Sequence, residues 1–258
     1  MSQMDQHYNR FFHYRSISPR MICYTGFKCN LRCRFCYYLD SLECGKAKNR
    51  TLGQIKRQLR AGRLLRKTQV EFTGGEPTIM PEFVSLVAFA KSLGYEKIGL
   101  ITNGFKMAEM VYCEELKDAG LNDILFSFHS YDPELHDWLT QVKSSHERLV
   151  KAVTNVTQLG IPFRFNSVVT SANCDVLDEH MGFLSSFHPA SVNLIVFNPS
   201  EETADCATHE TIRFTSYEHI GERLSEAIKK WKDSFPAINV RFIPFCFMKG
   251  FEEHIRGY

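Results

Sequence analysis

Three cysteines fall within eight residues in the stretch CNLRCRFCYY: Cys29, Cys33 and Cys36, at spacing C-x3-C-x2-C. Thiolates gathered on one short loop suit soft metals, either zinc or an iron–sulfur cluster. Both normally take four protein ligands. Three ligands on a four-iron cubane would leave one iron open to an outside molecule. A fourth ligand, Cys44 or a histidine such as His13, would instead close a structural zinc or four-cysteine site. The spacing alone leaves both readings open.

The surrounding residues add chemistry. Phe35 sits between the second and third cysteines, where an aromatic ring can pack on a flat ligand. FTGGEPT follows: Gly74 and Gly75 permit positive φ and close backbone approach, and Glu76 with the adjacent carbonyls offers acceptors to a cationic amine. On its own, GGEP also reads as a tight strand-to-helix turn. Further on stand TNG and HSYD.

These clusters need elements to hold them on one face. Short β-like runs alternate with helix-like patterns: MICYT (residues 21–25), a helix over 52–66, VEFT (70–73), a helix over 81–91, then KIGLIT, DILFSF, FRFNSVV and SVNLIVF as strands three to six. NVRFIPF offers a seventh strand after a helix over 217–230. Such alternation predicts right-handed crossovers and a parallel sheet, doubly wound or curled into a barrel. Nearly every unusual polar cluster follows the C-terminal end of a strand, the end that carries the active site in both architectures.

In order, spacing and placement, CNLRCRFCYY, FTGGEPT, LITNG and ILFSFHSYDPELHD resemble the radical S-adenosylmethionine (radical SAM) superfamily over about residues 20–200. The resemblance implies an α/β fold, a partial (β/α)6 TIM-type barrel with parallel strands and outer helices, as a single domain over 20–258 behind an aromatic N-terminal flap over 1–19. It implies that Cys29, Cys33 and Cys36 ligate three irons of a [4Fe–4S] cluster, the fourth iron chelating S-adenosylmethionine. Phe35 would contact the adenine, and Gly74, Gly75 and Glu76 would orient the methionine ammonium. Thr102 and Asn103 fall where relatives place groups near the cofactor. Ser127 resembles the strand-four serine, and Asn166 the strand-five asparagine of the molybdopterin-precursor cyclase branch. Both serine and asparagine also read as satisfied polar groups within a sheet. Some relatives hold the cofactor carboxylate with an arginine shortly after HD; here Trp138 to Thr140 follow, with Lys143 as the nearest cation.

The implied chemistry is reductive cleavage of S-adenosylmethionine to a 5′-deoxyadenosyl radical that abstracts a substrate hydrogen, with a flavodoxin- or ferredoxin-type reductant. A peptide or protein substrate is the leading expectation, and a nucleotide, sugar or amino acid the alternative. The rival from another class is a non-catalytic zinc or cluster module closed by Cys44, holding RNA or a protein through a basic helix. A truncated form lacking a cysteine-bearing tail is a further possibility.

The remaining features constrain less. The chain has 258 residues, 44% of them hydrophobic, which suffices for a core without disulfides, and its net charge of +2 selects no partner. Nine cysteines, three of them clustered, and an N-terminus without an apolar signal segment predict a reducing compartment, the cytoplasm. No run is long and apolar enough to span a bilayer. Residues 45–70 hold nine lysines and arginines and no acid, with Lys56, Arg60, Arg63 and Lys67 on one stripe; a solvated helix face is the ordinary explanation, a dock for an acidic partner the sharper one. No nucleic-acid module is legible. Cys174, Cys206 and Cys246 each follow a strand, and Cys246 is a candidate hydrogen donor by position alone.

Overall fold

The computed structural model describes residues 18–38, 49–198, 212 and 215–256. The expected flap up to residue 17, His13, Cys44 and Cys206 lie outside the described residues.

Seven parallel strands form one sheet in sequence order: β1 (Arg20–Tyr24), β2 (Gln69–Thr73), β3 (Lys97–Thr102), β4 (Asp123–Ser127), β5 (Phe163–Val169), β6 (Val192–Val196) and β7 (Ile238–Arg241). The connections carry helices α1 (Leu52–Leu64), α2 (Phe83–Ser92), α3 (Met110–Ala119), α4 (Pro133–Thr140), α5 (Ser145–Gln158), α6 (Leu177–Ser185) and α7 (Tyr217–Trp231). The expected six-stranded barrel therefore gains a seventh strand. INVR alternates buried and less buried positions, and β7 pairs with β6 from Val192–Ile238 to Ile195–Arg241.

The sheet is curled. Arg164 on β5 reaches Glu71 on β2 at 3.0 Å. In a flat sheet, strands three places apart lie about 14 Å from one another, beyond one arginine's reach. Arg164 also pairs with Asp123 of β4, while Arg20 and Lys97 reach Glu71 and Asp123 at 3.2 and 3.3 Å. This ion cluster fills the inner face near the N-terminal ends of the strands. Gly99 lies between the two acids: a Cβ there would meet Asp123 Oδ2 at 3.4 Å and Glu71 Cγ at 3.5 Å.

On the outer face, Phe72, Leu100, Phe126, Phe165, Leu194 and Val240 are buried under the helices. Each large side chain so buried contributes roughly 1.5–3 kcal/mol. Helix starts are fixed locally. Thr51 and Gln54 make a reciprocal capping box on α1, and Asp132 caps α4 ahead of Pro133. The basic stripe of α1 is partly engaged: Lys56 and Arg60 lie over the Phe89 ring, and Arg63 lies over Tyr95 while donating to Leu93 O. That favours the ordinary explanation of the charge run. Among the described residues, no helix is long and apolar enough to cross a membrane.

Candidate active site at the C-terminal strand ends

The cysteine loop leaves β1 and is held against three partners. Its first partner is the loop after β2. Gly75 N donates to Gly26 O and Glu76 N to Lys28 O, both at 2.8 Å. A Cβ on Gly74 would meet Gly26 O at 2.3 Å, and one on Gly75 would meet Lys28 O at 2.1 Å. Gly74 also has φ +139°, a left-handed-side value that favours glycine. The close approach expected of the two glycines toward a ligand is here an approach to the chain's own backbone, residues 26–28. GGEP bolts the cysteine loop down.

The second partner is the end of β3, reached through Glu76. Oε1 accepts from Thr78 N at 3.0 Å, Thr78 Oγ1 at 2.7 Å and Thr102 Oγ1 at 2.8 Å, and Oε2 accepts from Asn103 N at 2.8 Å. Burial raises this carboxyl's pKa, while the bonds from Asn103, Thr78 and Thr102 lower it. The net direction is upward, with burial the larger cause, and the four contacts fix where both carboxyl oxygens lie. Asn103 then passes the constraint on: its Nδ2 donates to Asn30 Oδ1 at 2.8 Å and lies 3.9 Å from Cys29 Sγ. Leu31 N–H points at the same sulfur, 3.4 Å away.

The third partner is the end of α4. Arg34 N donates to Leu139 O at 2.9 Å, Arg32 N to Thr140 O at 3.1 Å, and Arg34 Nε to Trp138 O at 3.0 Å. The guanidinium lies 4.2 Å from the Trp138 ring centre. Carbonyls at a helix C-terminus lack intrahelical donors, so the cysteine loop caps α4 while α4 orients the loop. Trp138, a departure from the arginine that some relatives carry there, thus has a role in this chain. Lys143 is exposed, and Asp137 of HD accepts from Ser145 Oγ and His146 N at the start of α5.

The donor set, three thiols on one loop, suits a thiolate-binding metal group. Burial lifts the Cys29 thiol to about 11, with Glu76 and Cys36 adding to the rise against the Leu31 N–H. Cys33 is pushed well up by burial and by Cys36 and Cys29. Thiols raised chiefly by burial ionise when a metal's positive charge stands beside them. One tetrahedral zinc would draw its sulfurs to about 3.8 Å of each other, given Zn–S of about 2.3 Å. Cys29, Cys33 and Cys36 do not bring their sulfurs all within 4.8 Å. The fourth ligands of the zinc rival, Cys44 and His13, lie outside the described residues.

Phe35 is buried in a small cluster with Leu139, Phe197 and Ile212, and meets His129 edge-on with ring centres 4.5 Å apart. His129 Nδ1 accepts from Val168 N at 3.1 Å, which leaves the ring proton on Nε2. Ser127 and Asn166 are register neighbours on the inner face, and the row continues through Asn193 to Asn239. Asn239 Nδ2 donates to Asn193 Oδ1 at 3.0 Å. Among the described residues neither the Ser127 nor the Asn166 side chain bonds another protein group, and both are part-exposed. Cys246 stands apart, exposed on the turn after β7, and Cys174 faces α7 outside the barrel. The sequence reading missed Thr78, Asn30, Arg34, His129, Asn193 and Asn239. Only Thr78 carried a local signal, a hydroxyl two residues past an acid at a turn.

Comparison with known proteins places this geometry. A probable GTP 3′,8-cyclase of Sulfolobus acidocaldarius is 29% identical over 172 residues, 66% of this chain and 53% of that protein. The chain thus spans about half the length of the curated relatives it matches. Streptococcus suis SuiB bound to S-adenosylmethionine superposes with a TM-score of 0.67 at 18% identity, covering 88% of this chain and 52% of SuiB. The same protein bound to its precursor peptide SuiA gives 0.66 at 18%, covering 88% and 50%. These solved structures share the fold. The family model of the radical SAM superfamily, whose members use a [4Fe–4S] cluster and S-adenosylmethionine, matches residues 23–183, from β1 into α6, and this chain belongs to that superfamily.

Proposed function

We propose that this chain binds a [4Fe–4S] cluster through Cys29, Cys33 and Cys36, binds S-adenosylmethionine above the ends of β2 to β5, and acts on a small molecule of the nucleotide class. The observation that carries the site assignment is the Glu76 hub, which ties the ends of β2 and β3 to Cys29 through Asn103. When bound, the cluster and S-adenosylmethionine supply a 5′-deoxyadenosyl radical that takes a hydrogen atom from the substrate.

The chain's own residues do the rest. Leu31 N–H and the Asn103 amide stabilise negative charge on Cys29 sulfur, one of the protein's means of tuning a cluster. Gly74, Gly75 and Glu76 present their backbone to the methionine ammonium, with Glu76's carboxylate spent on holding that backbone still. Phe35, braced by His129, offers its ring to the adenine. Ser127 and Asn166 offer a hydroxyl and an amide to ribose or carboxylate. The curled sheet and its apolar cover exclude water from the reacting atoms. A flavodoxin- or ferredoxin-type protein is the proposed electron source.

Support for a nucleotide-class substrate comes from the cyclase name carried by the curated relatives. The likeness to SuiB is one of fold, so the peptide substrate first expected from the sequence has the weaker support. The test is 5′-deoxyadenosine formation by the reconstituted, reduced protein with GTP, other nucleoside triphosphates or a peptide pool. Stimulation by a nucleotide supports the reading; stimulation by peptides alone overturns it.

A further inference from the structure

Cys174 and its neighbours take no part in the site above. Cys174 lies in the turn that leads from β5 into α6, with its side chain buried at 1% exposure where α6 packs on α7. Asp175 follows it. From the first turn of α7, His219 reaches across with Nε2 2.8 Å from Asp175 Oδ1. The Cys174 sulfur, an Asp175 oxygen and a His219 ring nitrogen all lie within 4.8 Å of one another. A cavity of about 240 Å³ opens beside it, bordered by Cys174, Asp175, Asp178, Arg223 and Glu226.

We propose that Cys174, Asp175 and His219 form a second metal site, binding one zinc-class divalent ion with water in the fourth position and clipping α6 to α7. A thiolate, an imidazole and a carboxylate are each ordinary zinc ligands, at about 2.0–2.3 Å, and three protein ligands plus water make a tetrahedron. Magnesium and calcium take oxygen ligands and do not fit a donor set with sulfur and nitrogen. Asp175 and His219 are 44 residues apart, one before α6 and the other in α7, so the ion would fix a tertiary contact rather than a local turn.

The competing charge is visible. Arg223 Nε lies 3.2 Å from the same Asp175 oxygen, so guanidinium and metal contend for one carboxylate. Arg223 has a second partner, Glu226 Oε2 at 2.8 Å, and can remain there when Asp175 turns to an ion. Binding is also proton-linked: the Cys174 S–H bond breaks, the sulfur's electron pair goes to the metal, and the proton leaves to solvent. Burial and then the Asp175 charge push that thiol up, and a dication beside Asp175 cancels the second cause.

The experiment is an anaerobic cobalt(II) titration of the full chain with Cys29, Cys33 and Cys36 replaced by serine, so that the loop thiols cannot contribute. The expected result is one equivalent bound, with a thiolate-to-cobalt charge-transfer band and the intense visible bands of a tetrahedral ion. The band vanishes in Cys174→Ser, binding weakens about tenfold or more in His219→Ala, and it tightens in Arg223→Ala. No thiolate band, or a band that survives Cys174→Ser, overturns the site. If Cys174→Ser does not fold, His219→Ala decides alone, because its position is half-exposed: unweakened binding there overturns the site.

Discussion

Single atoms at Glu76 and Gly75 decide whether the cysteine loop keeps its shape. Glu76→Gln keeps the volume but puts an amide NH₂ where a carboxylate oxygen accepts, so at least one of Thr78, Thr102 and Asn103 loses its acceptor. Leaving such a buried donor unpaired costs about 1–3 kcal/mol. The expected outcome is a urea-midpoint loss of that size together with weaker S-adenosylmethionine binding by equilibrium dialysis. Gly75→Ala tests the close approach instead. Its Cβ would meet Lys28 O at 2.1 Å and Phe27 O at 2.5 Å, so the loops must separate. Reconstituted Gly75→Ala should hold well under the wild-type iron content while its far-ultraviolet dichroism is unchanged; full iron content would show that the contact is dispensable. At this scale the sequence was informative where chemistry demands a rare pattern. Three cysteines, GGEPT and TNG are legible because few backbones tolerate or need them. Arg34, Trp138, His129 and Asn193 carry no pattern; their roles come from contacts between elements far apart in the chain.

Among the elements, α4 and the cysteine loop form one unit, since the loop's N–H groups satisfy the helix's last carbonyls. Trp138→Ala removes the ring under Arg34 and should speed iron loss to a chelator several-fold, while Trp138→Phe, which keeps a ring for the cation, should restore most of the protection. Equal rates in all three proteins would dismiss the latch. The inner-face ions are a second element-level feature. Arg164→Met strands Glu71 and Asp123, both 5% exposed, with only the rim cations Arg20 and Lys97 beside them. Breaking a buried pair in this way costs about 3–5 kcal/mol, read by denaturant titration. Strand and helix positions were largely visible in the sequence because β-branched runs alternate with amphipathic segments. The expected strands three and five coincide with β3 and β5. Curvature was not visible: that Arg164 of β5 and Glu71 of β2 share one ion pair depends on how the sheet closes, and no local signal encodes it.

Taken as a whole molecule, the barrel hides an unusual number of neutral histidines. His129, His136, His146 and His180 are all buried, and three of them surround the Phe128 ring. Burial, followed by repulsion from one another, holds His129 and His180 down to about 3 and His136 well below its ordinary range. The unfolded chain takes up these protons near pH 6.5 and the folded chain does not, so the unfolded state binds more protons between those values. Stability is therefore intact above pH 6.5 and falls as pH drops toward 3, by on the order of 1 kcal/mol per pH unit for each such group. A steep decline of Tm between pH 6.5 and 4, flattened in His136→Phe, is the expected result. The most direct test of the central claim concerns the cysteine loop itself. Protein reconstituted anaerobically with iron and sulfide, then reduced and given S-adenosylmethionine, should release 5′-deoxyadenosine, and Cys29→Ser should release none. No 5′-deoxyadenosine from protein that retains a single zinc, or release that survives Cys29→Ser, would contradict the account.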